Sequence, residues 1–187
     1  MRCTARKSAR RFRKQRRLET APCTGGACPV QHWRSFLASI EGRDARYQIN
    51  AVHRYANAVR YIPDRRNHGI ADRWSTPAEF LGRGGDCEDY AIAKYLSLRA
   101  LGFDANDMRI VVLKDMSRGI AHAVLVVEHE GERLLLDNQL RIVVATDKIR
   151  HYRARYSLNE SHWWLHRTTT ATPKRLAAAA PMAKATR

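Results

Sequence analysis

The sequence has no long hydrophobic run and few cysteines. No apolar stretch approaches the roughly 18 residues that a membrane-spanning helix needs, so we expect no such helix. The basic start is not followed by the apolar run of about 7–15 residues that is typical of a secretory signal. The sequence as written therefore shows no export signal. Among its four cysteines, Cys23 and Cys28 have a spacing atypical of zinc sites, and a disulfide or two free thiols are both compatible with it.

Acidic residues are scarce at both ends of the chain. Residues 1–30 contain nine Lys or Arg and one acid, and residues 168–187 contain four and none, so the ends hold most of the net charge of +16. Neither end has apolar periodicity, and we predict two unstructured basic tails around one domain at residues 31–167. A basic tail can attract nucleic acids or anionic membranes. Because only Phe12 interleaves with the arginines of the first tail, we favour a solvated tail and do not expect nucleic-acid binding.

The central sequence changes from helical to strand periodicity along the chain. Apolar spacing predicts helices over residues 31–40, 46–61 and 87–101. The run Thr76–Glu79 has the pattern of a capped helix start, whereas residues 64–74 read as a polar loop. Four strand-like segments follow, the last of them the weakest, at residues 108–115, 121–130, 132–138 and 140–147. Helices followed by antiparallel strands indicate an α+β fold.

The stretch RGGDCEDYAIAKY contains Cys87 among three acids. The pair Gly84–Gly85 permits a tight turn and Asp86 is a favourable N-cap, so we predict Cys87 at the first position of a helix. A helix start stabilises a thiolate, whereas Asp86, Glu88 and Asp89 oppose it. A bound cation or a nearby imidazolium would remove this conflict. The alternative interpretation is a buried structural cysteine beside solvated acids.

A nucleophilic cysteine needs a base and a group that orients the base. His122 begins one predicted strand and Asp137 ends the next, with the turn sequence HEGE between them. If Glu130–Gly131 is a two-residue loop, His122 faces Gln139, and His122 and Asp137 are diagonal neighbours on one face of the sheet. We therefore predict a Cys87–His122–Asp137 triad. The remaining histidines are interpreted as surface or core residues.

Four blocks of the sequence resemble the bacterial transglutaminase-like cysteine proteinases, which include the LapG-type periplasmic proteases. These blocks are DRWSTPAEFL, GGDCEDYAIAKY, AHAVLVV and LLLDNQ, and the resemblance covers about residues 31–167. It implies a papain-like or transglutaminase-like α+β fold, with N-terminal helices packed on an antiparallel sheet. It also implies that Cys87 is the nucleophile, His122 the base and Asp137 the orienting acid.

The resemblance further implies a calcium ion beside the nucleophile. Asp86 and Glu88 would be its ligands and Asp89 a weaker candidate, and carboxylate oxygens suit calcium better than zinc. A periplasmic location and a protein substrate are implied as well. The best-known members of the family cut a large surface adhesin beside a pair of alanines, which disperses biofilm, and an inner-membrane receptor for cyclic di-GMP controls them.

Three functions are compatible with these observations. The favoured one is a calcium-dependent cysteine endopeptidase, in which the backbone N–H of Cys87 and a second donor from Trp74 or its loop form an oxyanion hole. The second is an acyltransferase or amidase that uses the same triad with another acceptor. The third is a non-enzymatic binding module that acts through its basic arm. The sequence predicts no particular oligomeric state or individual substrate.

Overall fold

A computed structural model describes residue 12 and residues 28–166 of the chain. The helices of this part are α1 (Pro29–Ile40), α2 (Ala45–Asn57), α3 (Asp64–His68), α4 (Pro77–Arg83) and α5 (Cys87–Ala100). The strands are β1 (Met108–Asp115), β2 (Ile120–His129), β3 (Glu132–Leu136), β4 (Val144–Ala145), β5 (Tyr152–Leu158) and β6 (Trp163–Leu165). Single 3₁₀ turns lie at Ala105–Asp107 and Thr146–Lys148. None of the helices described here is long and apolar enough to cross a membrane.

The starts of the last two helices follow from their capping residues. Thr76 and Glu79 form a capping box at the start of α4, with Pro77 at its first position. Asp86 and Asp89 form a second box at the start of α5, so Cys87 is the first helical residue, as predicted. Each box satisfies backbone N–H groups that have no partner within the helix.

Two helix predictions need correction. The prediction extends the second helix to residue 61, but α2 ends at Asn57 because the chain turns away to pair with the glycine turn that precedes α5. The amide N–H of Ile62 donates to the Gly85 carbonyl over 2.8 Å, and that of Gly85 donates to the Arg60 carbonyl over 3.3 Å. The predicted loop at 64–74 contains the short helix α3, whose five residues are too few to show apolar periodicity.

All six strands form one antiparallel sheet with the order β4-β3-β2-β1-β5-β6. The β2–β3 hairpin has the predicted register, with His129 opposite Glu132 and with Glu130 and Gly131 at positive φ in the turn. The predicted fourth strand shrinks to the two residues of β4. Strands β5 and β6 were not predicted, so the sheet is wider than the sequence analysis indicates.

The core lies between the sheet and the helices, which confirms the α+β class. Helix α5 is central, because it packs on β2 and β1 on one side and on α2 and α4 on the other. Phe12 is 0% exposed and packs its ring edge-on against Tyr95 of α5. Helix α1 begins at Pro29, after a cap from Cys28.

The predicted boundary of the first tail at residue 30 is therefore wrong at Phe12 and at residues 28–30. Residues 1–11, 13–27 and 167–187 lie outside the described residues, and so does the pairing of Cys23. The tail assignments for those residues stay predictions.

Candidate active site

The turn before α5 brings Cys87 to the sheet and depends on two adjacent glycines. Gly84 has φ of +89°, and a Cβ there would collide with the backbone carbonyl of Arg60. A Cβ on Gly85 would collide with the carboxylate of Asp89, which caps the helix. Both positions therefore require glycine for the close approach that sets the start of α5.

Cys87 begins the helix that packs on strand β2. The main chain of Ala123, the residue after His122, acts on the Cys87 thiol and partly offsets the rise of its pKa. The thiol also donates to Oε2 of Glu88 over 3.1 Å. Helix α5, which begins at the nucleophile candidate, packs on the strand that carries the base candidate.

His122 and Asp137 form a buried pair on the same side of the hairpin. Nε2 of His122 lies 2.9 Å from Oδ1 of Asp137, and the two residues are 3% and 0% exposed. Burial alone would raise the pKa of Asp137, but hydrogen bonds from His122, Gln139 and Tyr152 hold it below its usual value. Because a carboxylate only accepts, Nε2 carries the proton in the neutral ring, and Nδ1 is the basic nitrogen.

Three further side chains enclose this pair. The backbone N–H of Gln139 donates to Oδ1 of Asp137 over 2.8 Å, and the hydroxyl of Tyr152 donates to Oδ2 over 2.7 Å. Nε2 of Gln139 is 3.3 Å from both ring nitrogens of His122, so the amide lies over the imidazole face. Arg118 in turn donates to the amide oxygen of Gln139 over 2.7 Å. The imidazole is therefore fixed by its carboxylate partner and covered on one face.

Burial and the nearby acids both oppose ionisation of Cys87. Burial raises the pKa of the Cys87 thiol well above its usual value, and Glu88 and Asp86 raise it further. Burial also raises the pKa of Glu88 and of Asp86. Asp86 raises the pKa of Glu88 further, whereas a hydrogen bond with Glu88 acts to lower that of Asp86. The opposition between a Cys87 thiolate and its acidic neighbours, expected from the sequence, is thus present. A positive charge near these acids would favour the ionised thiol.

Two upstream aspartates join the predicted metal ligands in one acidic cluster. Ligand atoms of Asp64, Asp72 and Glu88 lie within 4.8 Å of one another, and so do those of Asp64, Asp86 and Asp89. The buried oxygens Asp64 Oδ1 and Asp86 Oδ1 have no hydrogen-bond partner. Converging carboxylates, two of which have a buried oxygen without a partner, fit a hard cation with oxygen ligands, such as calcium.

Asp89, the weaker predicted ligand, has structural partners. Its Oδ1 accepts from the N–H of Ser75 over 2.6 Å, and its Oδ2 accepts from the N–H of Asp86 over 3.3 Å. Trp74, considered as an oxyanion donor, is buried in the main hydrophobic core.

The sequence analysis missed several residues of this region. The strand that carries Tyr152 could have been predicted, because apolar residues alternate through YRARYSL as in a half-buried strand. The sequence carried no signal for Asp64 and Asp72, which lie in a short polar segment 23 and 15 residues before Cys87. Only the tertiary fold brings them to Glu88.

A cysteine at the start of a helix that packs on a strand carrying the histidine of a histidine–aspartate pair is the arrangement of papain-like or transglutaminase-like cysteine peptidases. The sequence profile of the family described as "Bacterial transglutaminase-like cysteine proteinase BTLCP" matches residues 26–171. The chain belongs to this family and is a cysteine peptidase.

Solved structures of LapG from Legionella pneumophila are similar to this chain. The EGTA-treated form is 28% identical and has a TM-score of 0.70, with 84% of this chain and 86% of that one covered. The calcium-bound form is 27% identical and has a TM-score of 0.68, with 82% and 87% covered. A comparison with curated protein sequences finds no significant match.

Proposed function

We propose that this peptidase hydrolyses peptide bonds of a protein substrate with Cys87 as nucleophile, His122 as base and Asp137 as orienting acid. The observation that carries the proposal is the 2.9 Å contact between His122 Nε2 and Asp137, combined with the position of Cys87 at the start of α5, which packs on the strand of His122. Either feature alone is compatible with a structural role. Their convergence on one strand supports a catalytic one.

The geometry supports acyl transfer in two steps. Nδ1 of His122 takes the proton of the Cys87 thiol, and the sulfur attacks the carbonyl carbon of the scissile peptide. Nδ1 then gives this proton to the departing amine nitrogen as the C–N bond breaks, which leaves a thioester. Water attacks the thioester, its proton passes through Nδ1 to the sulfur, and the thiol re-forms. The backbone N–H of Cys87 at the helix start would donate to the oxyanion of both steps.

We also propose a calcium ion as cofactor, held by Asp86 and Glu88 together with Asp64 and Asp72. The ion would supply positive charge that favours the ionised forms of these acids and of the Cys87 thiol. The two unpartnered carboxylate oxygens support this assignment, and so does the existence of a calcium-bound form of the similar LapG.

The biological setting we propose follows the family resemblance. The substrate would be a large surface adhesin cut beside a pair of alanines, the location the periplasm, and the regulator an inner-membrane receptor for cyclic di-GMP. Cys28 is disulfide-bonded, which supports an oxidising compartment because disulfides persist there. The similarity to LapG over most of both chains also supports this setting.

The test is a cleavage assay with the purified full chain. A recombinant adhesin fragment with one Ala-Ala site would be incubated with wild type and with Cys87→Ala, in calcium and in excess EGTA, and the products identified by mass spectrometry. We expect one cut beside the alanine pair, none with Cys87→Ala, and none in EGTA. Full cleavage by Cys87→Ala would overturn the assignment of the nucleophile. A product extended by an added amine, in place of a free carboxylate, would identify an acyltransferase.

A further inference from the structure

The candidate acid Asp137 stands at the start of a tight turn that leaves strand β3. The backbone N–H of Leu140 donates to the Asp137 carbonyl over 3.2 Å, and the N–H of Gln139 donates to the Asp137 side chain. Because Asp137 begins the turn, the position of its carboxylate depends on the orientation of the whole turn. Residues that hold the turn therefore influence where the carboxylate meets His122.

Helix α2 holds this turn with two side chains from its buried face. Nδ2 of Asn57 donates to the Asp137 carbonyl over 3.2 Å and to the Leu140 carbonyl over 2.9 Å. Nε2 of His53, one helical turn earlier, lies 3.1 Å from the same Leu140 carbonyl. Both acceptors of the turn thus bind donors from a helix that otherwise takes no part in the site.

His53 is buried in a way that fixes its role as a donor. It is 1% exposed, and burial lowers its pKa to about 4, so the ring is neutral at ordinary pH. A carbonyl only accepts, and the proton is therefore on Nε2, while Nδ1 is buried with no hydrogen-bond partner. Burying an unsatisfied ring nitrogen costs stability. An apolar side chain would avoid this cost but could not hold the turn.

A third buried donor lies beside the same turn. Nζ of Lys94 in α5 is 3.4 Å from the carbonyl of Leu136, the residue before Asp137, and the side chain is 0% exposed. The carbonyls of Leu136, at the end of β3, and of Asp137 and Leu140, in the turn, are thus held by polar side chains of α2 and α5.

We propose that Asn57 and His53 are positioning residues that hold the Asp137–Leu140 turn so that the Asp137 carboxylate meets Nε2 of His122. The inference rests on the proposed function, since it concerns the acid of the triad. Neither residue contacts the reacting atoms. Their effect passes through the backbone of the turn to the carboxylate and then to the imidazole.

The test compares donor-deleting and donor-retaining variants of the full chain. Asn57→Leu and His53→Leu remove the donors, His53→Gln retains an amide near the place of Nε2, and His53→Asn places its amide near Nδ1 instead. Gln48→Leu is the matched control, because Gln48 is also a buried amide of α2 that donates to a carbonyl, that of Ile40 over 3.0 Å, in another part of the fold.

Two readouts separate positioning from general stability. The first is kcat and KM on the Ala-Ala fragment, together with the melting temperature. The second is the low-field proton NMR resonance of the His122 Nε2–H, which reports its bond to Asp137 without any substrate. We expect Asn57→Leu and His53→Leu to lower kcat about 10- to 100-fold with little change in KM, and to weaken or shift this resonance. His53→Gln should restore both and His53→Asn should not, whereas Gln48→Leu should lower only the melting temperature.

Failure of this inference can be distinguished from failure of the proposed function by Asp137→Asn. If Asp137→Asn is inactive while Asn57→Leu and His53→Leu keep kcat and the resonance, the positioning role is wrong and the triad stands. If Asp137→Asn keeps full kcat, the proposed function fails first and the inference fails with it. Should Asn57→Leu not fold, the comparison of His53→Gln with His53→Asn decides, and equal kcat for these two overturns the proposal.

Discussion

Tyr152 of β5 donates its hydroxyl to Oδ2 of Asp137 over 2.7 Å, although β1 and β2 lie between their strands. The bond crosses the end of the sheet and occupies the carboxylate oxygen that His122 leaves unused. Burial and the adjacent Asp137 raise the pKa of Tyr152, so the phenol stays protonated and remains a donor at all ordinary pH values. Asp137 is thereby held through both of its oxygens.

We expect Tyr152→Phe to destabilise the fold by about 1–2 kcal/mol near pH 7, since it removes a hydrogen bond to a buried charge. The pKa of Asp137 is lowered in the folded state, so its ionisation stabilises the fold above the unfolded pKa, and this contribution is lost as pH falls through the folded pKa. Removing the hydroxyl raises the folded pKa, and the destabilisation should shrink at acidic pH. Urea unfolding at several pH values measures this.

The control for Tyr152→Phe is Tyr55→Phe. Tyr55 of α2 stacks on Phe36 of α1 with ring centroids 3.9 Å apart, so its ring faces α1 rather than Asp137. Removal of the Tyr55 hydroxyl should lower the free energy of unfolding by no more near pH 7 than at acidic pH. A destabilisation by Tyr152→Phe that is constant from neutral to acidic pH would contradict the role given to this bond.

The sequence indicated the parts of the site that depend on short-range structure. Cys87 at a helix start follows from the glycine pair and the capping acids, and the His122–Asp137 diagonal follows from one two-residue turn. Tyr152 could not be placed in the same way, because its strand joins the sheet through long-range pairing with β1. Asp64 could not either, since it lies in a helix of one turn that no periodicity reveals.

Calcium should stabilise the protein through the acidic cluster. An ion present at 100 times its dissociation constant contributes about 2.7 kcal/mol of unfolding free energy, which a melting curve detects easily. We expect calcium to raise the melting temperature of wild type, EGTA to reverse this rise, and Asp64→Asn to reduce or abolish it. The variant removes a carboxylate charge and turns one of its oxygens into an amide, which suits a cation poorly.

The matched control for Asp64→Asn is Glu128→Gln, which neutralises an exposed acid of β2 outside the cluster. This variant should keep the full calcium response. An unchanged calcium response in Asp64→Asn would exclude Asp64 as a ligand. The absence of any response in wild type would remove the cofactor from the proposed function.

Lys94 should make stability depend on pH in the alkaline range. Burial lowers its pKa to about 7, whereas the unfolded chain keeps the ordinary value of 10.5. Between these values the unfolded state binds more protons, so stability should rise as pH rises from 7 toward 10. Lys94→Met keeps the length of the side chain without its charge and should be more stable by about 1–4 kcal/mol near pH 7. Urea unfolding should show this advantage shrinking toward pH 10, and an advantage that is constant with pH would exclude the buried amine as its cause.

The glycine before the capping acid should be required for activity more than for folding. A Cβ at Gly85 would meet the Asp89 carboxylate, which caps α5, so Gly85→Ala should displace the helix start and with it Cys87. We expect kcat to fall about 100-fold, because catalysis is sensitive to displacements of about 1 Å, while the unfolding free energy falls by only about 1–3 kcal/mol.

Gly42→Ala is the control. Its φ of +71° makes alanine strained, but no atom lies near the added Cβ, so it should lower the melting temperature and leave kcat unchanged. Equal losses of kcat in the two variants would show that general destabilisation, rather than the place of the sulfur, controls the rate.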